Sequence, residues 1–133
     1  MTPEDIIKAL ELEPHVEGGH YRRTYRHVDG PEGRGYASAI YYLIEGPDAD
    51  RWHKMDADEI WHWYAGSPLK LEISPTRNGI PTIQTLGNRL NIGERPQIQV
   101  PGTHWQRATC LGPWTLAGCT VSPGFNFDGH TLD

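Results

Sequence analysis

The chain has 133 residues, about the size of one domain and too few for two independent hydrophobic cores. We therefore expect a single domain over residues 1–133. Hydrophobic residues make up 37% and charged residues 22%, a balance typical of a folded globular protein rather than a disordered one. The net charge is −5 and no segment concentrates Lys or Arg, so we expect no nucleic-acid partner.

The sequence also argues against a membrane protein. No apolar run approaches the roughly 20 residues that a membrane-spanning helix needs. The first five residues, Met1 to Asp5, are acidic and lack the pattern of a signal peptide. Two cysteines, Cys110 and Cys119, lie in apolar, strand-like segments where buried thiols are common. We interpret them as free thiols and expect a cytoplasmic protein without a membrane partner.

One helix is predicted, at the start of the chain. Thr2 is a suitable N-cap and Pro3 suits the first helical position. The apolar residues between positions 6 and 10 recur at helical spacing, and we expect Pro14 to end the element.

Short strands are predicted for the rest of the chain. In the segment 59–65, polar and apolar residues alternate, so that Glu59 and Trp61 share one face and His62 and Tyr64 the other. Turn signals, such as the one at 29–33, separate the segments. This pattern is typical of a sandwich or barrel and predicts an all-β fold. The predicted strands are 20–26, 37–44, 59–65, 69–73, 83–86, 97–100, 105–110 and 115–121.

The segment from Arg51 to Gly66 carries the most chemistry. It resembles the first motif of the cupins, in which His, one residue, His, a short gap, Glu, six residues and Gly follow one another. His53, Met55, Glu59 and Gly66 match that spacing. Because residues two apart on a strand share a face, the resemblance implies that His53 and Met55 point into a barrel and that Glu59 joins them from the next strand.

A second segment, 101–106, is similar to the second cupin motif, a Pro-x-Gly-x-x-His turn and strand. Gln106 stands where the inward-facing His of the motif would be. The resemblance therefore implies that two of the four usual metal-ligand positions are kept, as His53 and Glu59. The other two are occupied by Met55 and Gln106.

The chain is more specifically similar to the cupin-5 family, also described as DUF985. Its members carry a His-x-Glu-Gly-Gly-x-Tyr/Phe segment near the N-terminus, which here runs from His15 to Tyr21. Further similar segments are 39–43, 58–61 and 121–127, so the resemblance covers nearly the whole chain. It implies a double-stranded β-helix, a cupin jelly-roll barrel that is usually a homodimer. It also implies an RmlC-like pocket, similar to that of sugar-nucleotide epimerases.

Metal binding is the first question for such a pocket. A thioether is a poor ligand for Zn, Mn or Fe(II), so Met55 argues against a resident metal, and we expect no cofactor. The alternative is a divalent transition metal held by His53, Glu59 and Gln106, as in a metal-dependent dioxygenase, lyase or isomerase. His104 has the same strand parity as Gln106, whereas His62 is expected to face outward or into an interface.

His53 and Glu59 are the candidate catalytic residues. A Glu in an apolar pocket tends toward a raised pKa, and His titrates near neutral pH. The pair suits metal-independent proton transfer, as in an isomerase or epimerase. Alternatively, the two side chains only hydrogen-bond each other, and the protein is a non-catalytic metabolite-binding module.

We expect a polar or sugar-like small molecule as the ligand. Trp61 would stack against it, and Gln106 and Tyr21 would orient it. The two glycines after Glu17 permit either a ligand loop that orients Glu17 or only a bend before the first strand. Arg23 and Arg51 either pair with a ligand phosphate or carboxylate or are solvated. The predicted ligand-binding residues are Glu17, Tyr21, Arg23, Trp61 and Gln106.

Overall fold

The computed structural model describes residues 1–27, 29 and 34–133. Helix α1 spans Pro3–Leu10 and begins with a capping box. The Thr2 hydroxyl accepts from the Asp5 amide, and the Asp5 carboxylate accepts from the Thr2 amide. The helix ends at Glu11, whose left-handed φ of 55° terminates it, so the predicted end at Pro14 is wrong by three residues.

After the helix, the described chain contains eleven β-strands that pair antiparallel, as predicted for an all-β fold, and two short 3-10 helices, Leu90–Ile92 and Phe127–Gly129. All eight predicted strands are present, and each end lies within one residue of the predicted one. Three shorter strands, β1, β4 and β11, were not predicted. Apart from Asp29, the predicted turn at 29–33 lies outside the described residues. The strands are β1 (Glu13–Pro14), β2 (His20–Arg26), β3 (Ser38–Glu45), β4 (His53–Met55), β5 (Asp58–Gly66), β6 (Leu69–Ser74), β7 (Thr82–Leu86), β8 (Gln97–Val100), β9 (Trp105–Cys110), β10 (Trp114–Ser122) and β11 (His130–Leu132).

Two sheets hold these strands. The first has six strands in the order β1-β2-β3-β10-β5-β8, and the second has five in the order β11-β4-β9-β6-β7. Neighbours such as β3 and β10 are far apart in sequence, as in a jelly roll. The main core lies between the sheets and joins Tyr42 and Trp61 of the first to Leu69 and Leu71 of the second.

The alternation predicted for β5 is confirmed. Glu59 and Trp61 are buried, whereas Ile60 is exposed on the outer face. His62 also lies on that outer face, where its Nε2 is 3.1 Å from the Thr120 hydroxyl. Cys110 and Cys119 are buried and free, as expected. None of the described residues belongs to a helix that is long and apolar enough to cross a bilayer.

Candidate functional site

A cavity of about 350 Å³ opens between the inner face of the larger sheet and strand β4. Its polar groups include His15, Glu17, His53 and Glu59. Apolar side chains from β3, β4, β10 and the segment after β10 form the remaining walls. Those apolar residues are Ile40, Met55, Val121, Phe125 and Phe127.

A turn formed by residues 15–19 places Glu17 in this cavity. The His15 carbonyl accepts from the Gly18 amide at 3.1 Å, and the His15 amide donates to the Gly19 carbonyl at 3.0 Å. Gly19 has a φ of 73°, and a Cβ there would lie 2.7 Å from the Leu43 carbonyl oxygen, so only glycine fits. The pair of glycines thus permits both a left-handed backbone and a close approach to β3, and Glu17 is directed inward with 6% of its surface exposed.

The Glu17 carboxylate meets imidazoles from three separate parts of the chain. Its Oε2 is 3.0 Å from Nε2 of His130 on β11 and 3.4 Å from Nε2 of His53 on β4. His15 Nδ1 lies 3.9 Å from the same oxygen. One buried carboxylate is therefore the centre of a cluster of histidines.

Hydrogen bonding fixes the position of one proton on His53. His53 Nδ1 lies 2.8 Å from the Arg51 carbonyl oxygen, which can only accept, so Nδ1 carries a proton. Its other ring nitrogen, Nε2, faces the Glu17 carboxylate at 3.4 Å, within ion-pair distance.

His15 has a different role from the other two histidines. Its Nδ1 accepts a hydrogen bond from the Glu17 amide at 3.2 Å, so this nitrogen carries no proton and His15 forms no ion pair with Glu17 through it. Burial also lowers the pKa of His15 and favours the neutral ring. Its ring packs edge-on against Tyr21, with the ring centres 4.5 Å apart.

Opposing effects act on the pKa of Glu17. Burial raises it, but attraction to His53 and the hydrogen bond from His130 together lower it below the usual value. Glu17 is therefore ionised at neutral pH.

Glu59, on β5, lines the same cavity in the opposite protonation state. Burial, followed by repulsion from Glu17, raises its pKa to about 8. Its Oε1 accepts from Nε2 of Gln106 at 2.8 Å, and Oε1 of Gln106 accepts from the Trp61 indole N–H at 2.9 Å. Because the indole can only donate, Trp61 fixes the Gln106 amide so that its NH₂ faces Glu59.

Behind Glu17 lies a second buried carboxylate, Asp50. One oxygen accepts from the Ala108 amide at 2.6 Å, and the other lies 3.4 Å from the Tyr42 hydroxyl. Burial and repulsion from Glu17 raise the pKa of Asp50 well above its usual value. Glu17, Asp50 and His53 each place a ligand atom within 4.8 Å of the others, so this group could hold a metal ion.

The predicted site residues fall into two sets. His53, Glu59, Glu17, Tyr21 and Arg23 all line the cavity. Trp61 and Gln106 are 1% exposed and are not among the lining residues, so in this structure Trp61 offers a ligand no surface for stacking. Within the described residues no hydrogen bond joins His53 to Glu59, and the structure pairs His53 with Glu17 instead.

Two further candidates from the sequence, Arg51 and His104, are not among the residues that line the cavity. Arg51 donates to the terminal main-chain oxygen of Asp133 at 2.7 Å. His104 is 3.4 Å from the Gly102 carbonyl oxygen, outside the cavity lining.

Comparison with known proteins decides the family. The family model described as the cupin superfamily, DUF985, matches residues 4–133. The chain belongs to this cupin family. A crystal structure of a protein from Shewanella oneidensis is 40% identical, covers 100% of this chain and 85% of its own, and superposes with a TM-score of 0.93. A hypothetical protein from Leishmania major is 29% identical, with coverages of 100% and 88% and a TM-score of 0.89.

More distant cupins share only the fold. Oxalate decarboxylase from Bacillus subtilis is 12% identical and has a TM-score of 0.67 over 90% of this chain, which spans 29% of that longer protein. None of the curated proteins is significantly similar in sequence.

The usual cupin metal position does not suit a metal in this chain. Met55 offers a thioether there, Gln106 turns its NH₂ toward Glu59, and its carbonyl oxygen is engaged by Trp61. In the part of the chain that the structure describes, no fully buried side-chain nitrogen or oxygen is without a hydrogen-bond partner. A hydrogen-bonded chain from Trp61 through Gln106 to Glu59 thus takes the place of the ligand set.

Sequence reasoning missed His15, Asp50 and His130 as members of this cluster. His15 opens the segment that resembles the family motif, which was the one available signal. Asp50 and His130 stand in segments without periodicity, and His130 meets Glu17 across 113 positions of the chain. Only the tertiary pairing of β4 with β11 brings His130 to the site.

Proposed function

We propose that the protein binds a small polar or sugar-like metabolite in the cavity and moves a proton on it by metal-independent acid–base chemistry, as an isomerase or epimerase does. One observation carries this proposal: Glu17, in contact with His53, and Glu59, whose pKa is raised to about 8, line the same cavity. Two carboxyl groups whose environments push their pKa values apart are the arrangement that general acid–base catalysis uses.

The roles follow from the protonation states. Glu17, ionised and in contact with His53, accepts a proton from a carbon next to a carbonyl group of the substrate. The electron pair of that C–H bond forms the carbon–carbon double bond of an enediol, while Glu59 donates its proton to the carbonyl oxygen. Gln106 then stabilises the Glu59 carboxylate through its NH₂. When a proton returns to the neighbouring carbon, or to the other face of the same carbon, an enediol hydroxyl gives its proton back to Glu59 and a carbonyl group re-forms, which completes an isomerisation or an epimerisation.

Hydrogen exchange into the substrate tests this function. Aldoses, ketoses and their phosphates are incubated in D₂O with protein that has been stripped of metal, and the loss of proton signals next to the carbonyl is followed by NMR. We expect exchange in at least one compound, and a decrease of 100-fold or more in His53→Gln and Glu59→Gln, since general acid–base catalysis contributes typically 10²–10⁴-fold.

His62→Gln is the matched control, because His62 lies on the outer face of β5. Exchange should survive in this variant. Binding of a metabolite without any exchange, or equal exchange by wild-type protein and His53→Gln, would contradict the catalytic proposal.

A second candidate function rests on the cluster of Glu17, Asp50 and His53, whose oxygen and nitrogen atoms suit a divalent transition ion. The protein would then be a metal-dependent cupin enzyme with its metal displaced from the usual position. Elemental analysis of protein purified without chelators or a metal-affinity tag separates the two candidates. One equivalent of a single metal, lost in Asp50→Asn, favours the second candidate, and trace amounts of mixed metals favour the first.

A further inference from the structure

Arg23 lies at the mouth of the cavity. On β2, Tyr21 and Arg23 share a face because residues two apart point the same way, and both line the cavity. In the ladder of β2 and β3, Arg23 pairs with Ile40, which also lines the cavity. The register of the two strands shifts just after Arg23. The Arg23 side chain is exposed, so its guanidinium lies where solvent meets the cavity.

The other charged groups at this mouth each have a partner. Arg22 lies 3.7 Å from Glu11, and the carboxylate of Glu13 interacts with the Tyr21 hydroxyl. Arg23 has no carboxylate within ion-pair distance in the described ranges 1–27, 29 and 34–133. Its guanidinium, with five N–H donors in a fixed fork, is therefore available to a ligand.

The inner end of the cavity, unlike the mouth, disfavours an anionic group. Glu17 is ionised there and repels an anion, whereas the neutral Glu59 does not attract one. Between the two ends the walls are apolar, with Ile40 and Val121 among them. A ligand with one anionic end is thus oriented, with that end at the mouth and its uncharged end toward Glu17 and Glu59.

We propose that Arg23 binds a carboxylate or phosphate group of the ligand, so that the substrates are small hydroxy-carbonyl compounds with a terminal anionic group. Arg pairs with both kinds of oxyanion through two parallel N–H···O bonds. This proposal deepens the proposed function because it names the substrate class of the same cavity.

Three probes test the anion site without knowledge of the ligand: inorganic phosphate, propionate, and propionamide as the neutral equivalent of propionate. Binding is measured from shifts of backbone amide signals in NMR titrations at millimolar concentrations. We expect phosphate or propionate to shift the amides of Tyr21 and Arg23, and propionamide to leave them unchanged. The stronger of the two anions identifies the group that the site prefers.

Substitutions locate the anion on Arg23. Arg23→Gln should weaken anion binding tenfold or more, and Arg23→Lys, which keeps the charge but loses the fork, should have an intermediate effect. Arg22→Gln is the matched control, and it should change binding less than threefold because Arg22 is paired with Glu11. Equal binding of all three probes, no binding of either anion, or equal effects of Arg22→Gln and Arg23→Gln would overturn the proposal.

The same measurements separate this proposal from the proposed function. Glu59→Gln should keep anion binding while it loses hydrogen exchange. If no metabolite undergoes exchange but Arg23→Gln still abolishes phosphate binding, the anion site stands and the acid–base function fails. If exchange occurs equally on neutral and anionic sugars and no anion binds, the acid–base function stands and the anion site fails.

Discussion

At the scale of single residues, Gln106 determines what the inside of this barrel can do. Its carbonyl oxygen accepts from Trp61 and its NH₂ donates to Glu59, so it joins a core residue to a cavity residue. Both neighbours are buried, which makes each of these hydrogen bonds costly to lose.

Gln106→Leu should destabilise the protein by about 2–4 kcal/mol, because it leaves the Trp61 N–H and one oxygen of Glu59 without their partner. Urea unfolding followed by tryptophan fluorescence measures the change. Gln99→Leu is the control, since Gln99 is exposed on the neighbouring strand β8 and its loss should cost less than about 0.5 kcal/mol. A similar small cost for both variants would show that the hydrogen-bonded chain is not needed for stability.

The sequence indicated that Gln106 occupies a changed ligand position but not the direction of its amide. That direction depends on Trp61, which lies 45 positions away in the sequence and adjacent only in the folded sheets. The partner of His53 was unpredictable for the same reason. The resemblance paired it with Glu59, whereas the turn at residues 15–19 brings Glu17 to it.

At the scale of elements, the short strands contribute as much to the site as the long ones. β4 has three residues and supplies His53, and β11 has three and supplies His130. Their ladder pairs Leu132 with His53 and His130 with Met55, which sets His130 beside the cavity.

His130→Ala should therefore reduce stability by about 2 kcal/mol, because it removes a hydrogen bond to a buried, ionised carboxylate. Thr131→Ala is the matched control on the same strand, since Thr131 is exposed. Thermal or urea unfolding measures both variants. If the two variants lose the same stability, the loss is caused by a change in the strand and not by the missing contact between His130 and Glu17.

Strand length explains which elements the sequence could predict. β2, β8 and β9 have exactly the predicted bounds because alternation and turn residues mark them locally. A three-residue strand holds too little alternation to be recognised, and its existence depends on the neighbours with which it pairs. The helix end shows a similar limit, because the left-handed conformation of Glu11 stops the helix before Pro14 does.

At the scale of the whole molecule, the buried carboxyl groups couple stability to pH. Glu59 has a pKa of about 8 in the folded protein against 4.5 normally, so the folded state holds its proton more tightly. Stability from this group is therefore intact below about pH 4.5 and declines as the pH rises toward 8. Glu17, whose pKa is lowered, acts in the opposite direction, and its contribution is lost only as the pH falls below about 4.5.

Glu59→Gln should remove this decline of stability with rising pH, because the Gln side-chain amide resembles the neutral carboxylic acid. Relative to wild-type protein, the variant should gain stability from about pH 4.5 upward and be more stable by about 5 kcal/mol at pH 9, because each pKa unit of the shift is worth about 1.4 kcal/mol. Glu45→Gln, at an exposed position on β3, should change stability by less than about 0.5 kcal/mol at every pH. Parallel pH profiles for wild-type protein and Glu59→Gln would contradict the raised pKa of Glu59.

The fold was predictable at this scale because the motif spacing and the strand pattern agree with each other. The double-stranded jelly roll with a short N-terminal helix is confirmed by the two sheets and by the family match over residues 4–133. The cavity chemistry was not predictable to the same extent, since it depends on which carboxyl groups the fold buries side by side. Glu17 and Asp50 are close together only because the 15–19 turn lies against the residues before β4.

The titration of Glu59 itself decides whether this residue can donate a proton at neutral pH. Protein labelled with ¹³C at the glutamate side-chain carboxyl is titrated by NMR, and Glu59→Gln identifies the signal of Glu59. We expect a midpoint at about pH 8, because Glu59 is buried and faces an ionised Glu17 across the cavity. A midpoint near the ordinary value of 4.5 would mean that Glu59 is ionised at neutral pH, and the proposed proton donor would be lost.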